Sequence, residues 1–405
     1  MTTLTDPSRE SFRLSQLIYD TRYRSMTIQV IAFIAFMAAF AWLISNTVAN
    51  LHALGKDFNF GFLTVRSGYD INQTLIQYDS NSDHYRAALV GLLNTLLVAF
   101  LGCILATIVG VIAGVLRLSK NWLTAKLMTV YVESFRNIPV LLWIILFFAV
   151  LTEGTPAPNA FRGDSPAASM KLFDSIAITN RGTYVPNPTW QTGSILVVLT
   201  FLLSLLGIWA FARYSKRRQE ATGDILPNVW IKLAIFFVPA VLVYFIVGRP
   251  IGLDYPVLKG FNFQGGLQMR NSLIALWLAL SFYTGAFIAE NVRAGILAVS
   301  KGQTEAAYAL GLRPNRTMNL VILPQAMRVI IPPLISQYLN LTKNSSLAIA
   351  VGYMDLRSTL GGITLNQTGR ELECMMLMML IYLIISLLIS MAMNVYNSSV
   401  KLKER

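Results

Sequence analysis

The chain has 405 residues, of which 55% are hydrophobic and only 13% are charged. A soluble domain usually carries about a quarter charged residues, so this composition excludes an ordinary soluble protein and indicates that most of the chain faces lipid. The net charge of +13 would suit a nucleic-acid partner, but basic residues also mark the inner loops of membrane proteins.

Eight apolar stretches are long enough to cross a bilayer as helices, which takes about 20 mainly apolar residues. They predict an all-α polytopic membrane protein with about eight transmembrane helices and with both termini on one side. The first stretch is too long for the apolar region of a typical signal peptide and is interpreted as a retained span. The predicted spans are 28–48, 88–116, 127–151, 193–212, 229–247, 272–297, 333–352 and 375–396.

The basic residues are concentrated on one predicted face. When the N-terminus is placed inside, the inner segments hold 19 Lys and Arg residues against 7 Asp and Glu, whereas the outer segments hold 11 of each. Because Lys and Arg accumulate in cytoplasmic loops, both termini are predicted to be cytoplasmic, and no nucleic-acid partner is needed to explain the charge. The segment 8–24 mixes apolar and charged residues, which suits an interfacial helix and a disordered basic tail equally.

The spans fall into two dense blocks separated by a region that we interpret as an insertion. This region begins with an outer loop, 152–191, whose Pro, Asn, Gly, Ser and Thr residues favour turns. Its two extra spans are joined by a short basic loop, 213–227, which indicates an inner location. We therefore divide the chain into an N-terminal segment with the first span and an outer loop (1–86), a first core part (87–151), the insertion (152–270) and a second core part (271–405).

Three predicted spans contain charged residues, each of which costs about 2.5–3.5 kcal/mol at the centre of a membrane helix. Glu133 precedes Arg136 by three residues, and Glu290 precedes Arg293 by three, so each acid lies on the same helix face as a base. Such pairs suit two roles, a structural belt of ion pairs near an inner gate or contact with a zwitterionic solute. The sequence leaves both open, because either role requires pairing.

Three further features concern the shape and packing of the predicted spans. Lys343 and Asn344 lie in a polar run in mid-span, which indicates a helix that lines a cavity or is locally unwound. Pro139 lacks a backbone donor and is predicted to kink the third span beside its charged pair. Gly110 and Gly114 form a G-x-x-x-G spacing on the second span, which permits close helix packing.

The inner loop 299–325 is too long for a simple turn and is predicted to contain two short helices. Thr304 can cap the first of them, Glu305 then lies in its first turn, and Gly311 can end it. A short helix of small residues outside the membrane has little lipid to bury against. It is therefore predicted to dock against a partner.

The residues from Glu305 to Pro324 follow the pattern E-A-A-x-x-x-G-x(9)-V-x-L-P. This pattern resembles the EAA loop of permease subunits of ATP-binding-cassette (ABC) importers, and it departs from the family only at Val321, where isoleucine is usual. The resemblance implies that the loop docks into a separate ATPase subunit, which binds ATP and Mg, and transmits its closure to the spans. The implied coupling residues are Glu305, Ala306, Ala307, Gly311 and Pro324.

Other stretches are similar to the polar amino-acid permeases of this family, and together they cover about half of the chain. The extra spans resemble the larger eight-span permeases of broad-specificity L-amino-acid systems in Gram-negative bacteria. The resemblance implies a five-helix type I core, formed by spans 2, 3, 6, 7 and 8, in a bacterial inner membrane. The similar stretches are 289–295, 301–303, 323–326, 343–347 and 131–139, where Asn137-Ile138-Pro139 replaces the more usual Gly-Thr-Pro.

The resemblance also implies the partners. They are a homologous permease subunit, two ATP-binding subunits and an extracytoplasmic amino-acid-binding protein, with L-amino acids as substrates. No cofactor, metal or catalytic residue is predicted in this chain. The predicted substrate path or gate consists of Glu133, Arg136, Glu290, Arg293, Lys343 and Asn344.

Two other classes of protein compete with this interpretation. A proton- or sodium-coupled secondary transporter would use buried acids such as Glu133 and Glu290 as ion sites, but it leaves the loop 299–325 unexplained. A membrane enzyme would need a catalytic or metal-binding motif, and the sequence contains no G-x-S-x-G elbow, no P-loop and no metal-ligand cluster. The missing P-loop also implies that nucleotide binds to a different chain.

Overall fold

The computed structural model describes residues 19, 21–55, 57–163, 166–223 and 228–400. These residues are mostly helical, which confirms the predicted all-α membrane architecture. Of the segment 8–24, residues 8–18 and 20 lie outside the described residues. The helices are α1 (Thr21–Ala53), α2 (His84–Leu116), α3 (Trp122–Asn137), α4 (Val140–Glu153), α5 (Ser194–Thr222), α6 (Asn228–Ile246), α7 (Asn271–Leu297), α8 (Lys301–Ala309), α9 (Pro314–Thr317), α10 (Leu323–Asn344), α11 (Leu356–Ser358), α12 (Leu365–Thr368) and α13 (Glu371–Val400).

The predicted third span is divided into two helices, α3 and α4, and the chain bends by 110° between them. Pro139 has no backbone N–H to continue α3, and Ile138 before it is extended, because a residue that precedes proline disfavours the helical conformation. The rings of Phe135 and Trp143 stack across the bend with their centroids 4.0 Å apart. The predicted kink at Pro139 is therefore present. It is larger than a kink within one helix, because it divides the span into two helices.

Short strands join the loop before α5 to the loop after α6, so these two helices begin and end on the same side of the membrane. The composition of 152–191 predicts mainly turns, so the strands in that loop differ from the prediction. One antiparallel sheet has the order β1-β2-β7, and two further pairs are β3-β4 and β5-β6. The strands are β1 (Ala177–Thr179), β2 (Gly182–Val185), β3 (Asn187–Trp190), β4 (Ile251–Asp254), β5 (Val257–Lys259), β6 (Asn262–Gln264) and β7 (Leu267–Met269).

Helices α2 and α7 pack side by side and run in the same direction. Gly110 lies against Ile288, and Gly114, one turn further along α2, lies against Val292, one turn further along α7. The two helices therefore begin on the same side of the membrane. The hairpin of α5 and α6 returns the chain to the side on which α5 begins. The bent pair α3–α4 must therefore cross the membrane once, so that α7 can begin on the same side as α2. Together with the seven helices that are each long and apolar enough to span a membrane, this gives eight crossings.

The close approach of α2 and α7 at Gly110 has a measurable consequence. A Cβ atom on Gly110 would lie 2.6 Å from the Cβ of Ile288 and 2.9 Å from the carbonyl oxygen of Gly285. Gly110→Ala is therefore expected to destabilise the protein by about 1–3 kcal/mol, the usual cost of overpacking. Thermal unfolding in detergent measures the loss. Gly302→Ala is the control, because nothing lies within 4 Å of a Cβ at that position. Equal unfolding temperatures for the two variants would contradict the packing.

The core of the membrane region lies where α2, α4, α7 and α10 meet, whereas α1, α5 and α6 lie outside it. Helices α5 and α6 contact each other through Phe201 and Phe236, whose ring centroids are 5.0 Å apart. None of the α1 residues whose side chains the structure describes is buried. The division into core and insertion at 152–270 stays a prediction. Buried members of the core include Val98, Ile144, Leu276, Leu280 and Leu341.

Candidate transport and coupling site

Five charged side chains from three neighbouring helices meet in one group, which we name the charge cluster. Glu290 on α7 bonds the guanidinium of Arg117, which directly follows α2. The Oε1 of Glu290 also lies 3.1 Å from Nη1 of Arg293, and its Oε2 lies 3.7 Å from Nη1 of Arg136. Glu133 on α3 lies 3.7 Å from Arg117 and 4.0 Å from Arg136. The structure therefore brings together four of the six residues predicted for the substrate path, and it adds Arg117 to them.

Arg117 is the most buried member of the charge cluster. Its side chain is 8% exposed, whereas that of Glu290 is 29% exposed and that of Glu133 is 50% exposed. In the sequence, Arg117 lies one position beyond the apolar stretch 88–116 and is therefore not among the predicted site residues. No local sequence pattern marks Arg117, because its contact with Glu290 depends on the packing of α2 against α7.

The composition of the charge cluster limits what it can do. Three arginines face two glutamates, so one positive charge is in excess. The guanidinium of Arg136 also lies over the ring of Phe287, 5.5 Å from its centroid, a geometry that favours a cation. The cluster can therefore tie α2, α3 and α7 together, and its excess charge can attract a carboxylate. The structural belt and the contact with the solute both stay predictions.

Lys343 and Asn344 lie apart from the charge cluster. They are the last two residues of α10, after which the chain continues as a 3-10 helix, Ser345–Val351. The α-helix therefore ends within the predicted span, and a cavity-lining or locally unwound helix at this point stays a prediction. Lys343 is exposed and Asn344 is partly buried. Among the described residues, Lys343 makes no ion pair with either glutamate of the cluster.

The loop 299–325 forms two short helices, α8 and α9, as predicted. Helix α8 begins at Lys301 with Ser300 as its N-cap residue, so the predicted cap at Thr304 is wrong. Lys301 and Gln303 are straight-chain residues that favour helix, and they extend it towards the N-terminus. Glu305 consequently lies in the second turn of α8 and not in the first.

The predicted end of α8 is confirmed at Gly311. Its φ angle is 75°, in the left-handed region, and the backbone N–H of Gly311 donates to the carbonyl of Tyr308 over 2.9 Å. The N–H of Leu312 donates to the carbonyl of Ala307 over 3.1 Å. These two bonds form a Schellman motif, in which a left-handed residue, usually glycine, reverses the chain after a helix.

Helix α8 has one face against the protein and another towards solvent. Ala307 is 3% exposed, whereas Glu305 and Ala306 are exposed. Leu310, at the tip of the loop, is 82% exposed although it is apolar. An outward carboxylate beside an uncovered leucine is a surface that a partner can cover.

The same loop is joined directly to a membrane helix. Nε2 of Gln325 donates to Oε1 of Gln303 over 3.1 Å, which links α10 to α8. Pro324 lies in the first turn of α10, where a missing N–H is tolerated. The preceding π-helical segment, Met318–Ile322, runs into α10 without an interruption. A displacement of α8 can therefore be passed to the span.

Comparisons with known proteins agree with this arrangement. The model of a family described as binding-protein-dependent transport system inner membrane component matches residues 204–400. The glutamate/glutamine/aspartate/asparagine transport system permease protein BztB of Rhodobacter capsulatus is 58% identical, over 100% of both chains. The general L-amino acid transport system permease protein AapQ of Rhizobium johnstonii is 45% identical, over 98% of this chain and 96% of AapQ.

A third relative is the putative amino-acid ABC transporter permease protein YhdX of Escherichia coli, which is 43% identical over 94% of this chain and 95% of YhdX. These similarities extend through the first span, the insertion and the core, so they are not confined to the loop 299–325. The chain is therefore a transport subunit and not itself an ATPase. It belongs to the family of permease subunits of amino-acid ABC importers.

Proposed function

We propose that this chain forms the translocation path for L-amino acids and couples it to a separate ATPase subunit through the loop 299–325. The observation that carries the coupling is the geometry of α8. Glu305 and Ala306 face outward, the helix ends in a left-handed turn at Gly311, and Gln303 ties it to α10. A partner that moves this helix also moves a span. ATP and Mg are proposed to bind to the partner ATPase.

The proposed assembly contains a homologous permease subunit, two ATP-binding subunits and an extracytoplasmic amino-acid-binding protein. The names of BztB and AapQ support L-amino acids as the substrates. The apolar faces of α1, α5 and α6, which are largely exposed, supply surface for lipid and for a second membrane subunit. Within this assembly, the charge cluster around Glu290 is proposed to close the inner end of the path when α2, α3 and α7 are held together.

The competing secondary transporter loses its predicted ion sites. Glu290 is engaged by three arginines, and Glu133 is within 4.0 Å of two of them. An ion-coupled transporter needs a carboxylate that is free to bind its ion, whereas both of these acids are paired with guanidinium groups. The acids therefore support ion pairing and not ion-coupled transport.

Reconstitution tests the proposed function. We expect proteoliposomes that contain the chain, its second permease subunit and the ATPase to accumulate L-amino acids when ATP and loaded binding protein are present. Liposomes that lack the ATPase should show no accumulation. Accumulation by this chain alone in response to a proton or sodium gradient would contradict the proposal and restore the secondary transporter.

We also propose that both termini face the cytoplasm, since eight crossings and the excess of inner Lys and Arg agree on this orientation. Phe173, which is fully exposed in the loop before α5, is then extracytoplasmic. With Cys103 and Cys374 replaced, Phe173→Cys is expected to react with a membrane-impermeant thiol reagent in cells whose outer membrane is opened. Lys120→Cys, in the exposed loop after α2, is the matched inner control. The reverse pattern of labelling would overturn the orientation.

A further inference from the structure

A second group of cations lies apart from the charge cluster. Lys343 and Arg357 line one cavity of about 250 Å³, together with Ser346, Met378 and Tyr382. One water molecule occupies about 30 Å³ in the liquid, so the cavity has room for several waters or for one small solute. Lys343 belongs to the predicted substrate path, whereas Arg357 is not among the residues predicted for it.

Neither cation has an acidic partner among the residues that the structure describes. Lys343 and Arg357 form no ion pair there, in contrast to every arginine of the charge cluster, and none of the five lining side chains is a carboxylate. Both side chains are exposed, so a solute can reach them, and two unpaired like charges that line one open cavity repel each other. The cavity is therefore suited to an anion that pairs with both.

The nearest acid on the same segment is already engaged. Asp355 is fully buried, and its Oδ1 accepts hydrogen bonds from the backbone N–H and the hydroxyl of Ser358, at 2.9 and 3.0 Å. The hydroxyl of Tyr382 lies 3.3 Å from its Oδ2. Asp355 thus caps α11, which carries Arg357, and holds Tyr382 in place. It fixes the wall of the cavity and leaves the two cations for a ligand.

We propose that Lys343 and Arg357 bind the two carboxylates of an acidic amino acid, with Arg357 as the residue that selects the side-chain carboxylate. This inference rests on the proposed function and names its preferred substrate class. A neutral amino acid brings one carboxylate and one ammonium, so it neutralises one cation and is repelled by the other. An acidic amino acid neutralises both. The hydroxyl oxygens of Ser346 and Tyr382 offer acceptors for its ammonium group.

The ratio of glutamate to glutamine uptake tests this inference, because a general loss of activity cancels in a ratio. The assay uses the complete complex in proteoliposomes with one binding protein, loaded with radiolabelled L-glutamate or L-glutamine. Arg357→Gln is expected to lower the ratio about tenfold, the effect of losing one charge-assisted hydrogen-bonded pair. Arg357→Lys keeps the charge and should lower the ratio by less. Lys216→Gln removes an exposed cation on α5 and should leave the ratio unchanged.

Chemical restoration of the charge gives a second measurement. With the native cysteines replaced, Arg357→Cys should show the low ratio. Reaction with a thiol reagent that attaches an ammonium group should raise the ratio again, whereas a neutral reagent of similar size should not. An unchanged ratio in Arg357→Gln, or equal effects of the charged and neutral reagents, would overturn the inference while ATP-dependent uptake continued. If the wild-type complex showed no ATP-dependent uptake, the proposed function itself would fail.

Discussion

Replacing Gly311 by valine is expected to abolish most ATP-driven uptake while the complex still assembles. The φ angle of Gly311 is 75°, and nothing lies within 4 Å of a Cβ built there, so the effect arises from the backbone alone. A β-branched residue in the left-handed region costs about 1–2 kcal/mol, which is enough to break the Schellman bonds and redirect the chain after α8. Helix α8 would then lose its fixed position relative to α10.

A matched variant separates conformation from volume at this position. Asn tolerates the left-handed region far better than valine does, so Gly311→Asn should retain most of the uptake. Uptake and ATP hydrolysis are measured on the same proteoliposomes. In Gly311→Val we expect hydrolysis to respond poorly to loaded binding protein. Normal coupling in Gly311→Val, with assembly intact, would show that this loop is not the transmission element.

Glu305 allows a different test of the same loop. Because Glu305 is exposed and lies in the second turn of α8, its charge adds little to the stability of the helix. Glu305→Ala is therefore expected to leave the unfolding temperature unchanged and to lower uptake only through a lost contact with the ATPase. Uptake and thermal unfolding of the purified complex measure the two effects. A lower unfolding temperature with normal uptake would contradict this expectation.

The sequence predicted the spans and most of the charge cluster because each carries a local signal. An apolar stretch of about 20 residues predicts a transmembrane helix, and a charged residue within it predicts a partner of opposite charge. Arg117 carried no such signal, since it lies just outside an apolar stretch and acquires its role only when α2 packs on α7. Arg357 was missed for the same reason, because only the fold brings it to the cavity of Lys343.

Other features depend on contacts between distant residues or on small energy differences. The strands around the insertion pair positions such as Thr183 and Met269, which are far apart in the chain, so turn-forming residues gave no sign of them. The start of α8 at Lys301 and not at Thr304 reflects small differences in helix propensity, which seldom fix a boundary. By contrast, the end at Gly311 was predictable, because few residues other than glycine adopt its backbone conformation.

The largest effect on stability is expected from Glu290→Gln. This change removes the main acid of the charge cluster and leaves Arg117, 8% exposed, with only the more distant Glu133. Breaking a buried ion pair from one side costs about 3–5 kcal/mol, and we expect a loss near the lower limit because Glu290 is partly exposed. Thermal unfolding and the yield of assembled complex measure this loss. Arg293→Gln removes a more exposed partner and should cost no more than about 1 kcal/mol.

Double variants identify the partner on which this loss depends. The sequence alone predicts that neutralising Glu290 and Arg293 together harms folding less than either change alone. The structure changes that expectation, because Arg117 would remain buried without its main acid. Glu290→Gln with Arg117→Met should recover most of the lost stability, whereas Glu290→Gln with Arg293→Gln should not. The opposite order would show that Glu290 and Arg293 form the essential pair. A stable Glu290→Gln/Arg117→Met complex that no longer transports would favour contact with the solute over a structural belt, because its folding would be intact.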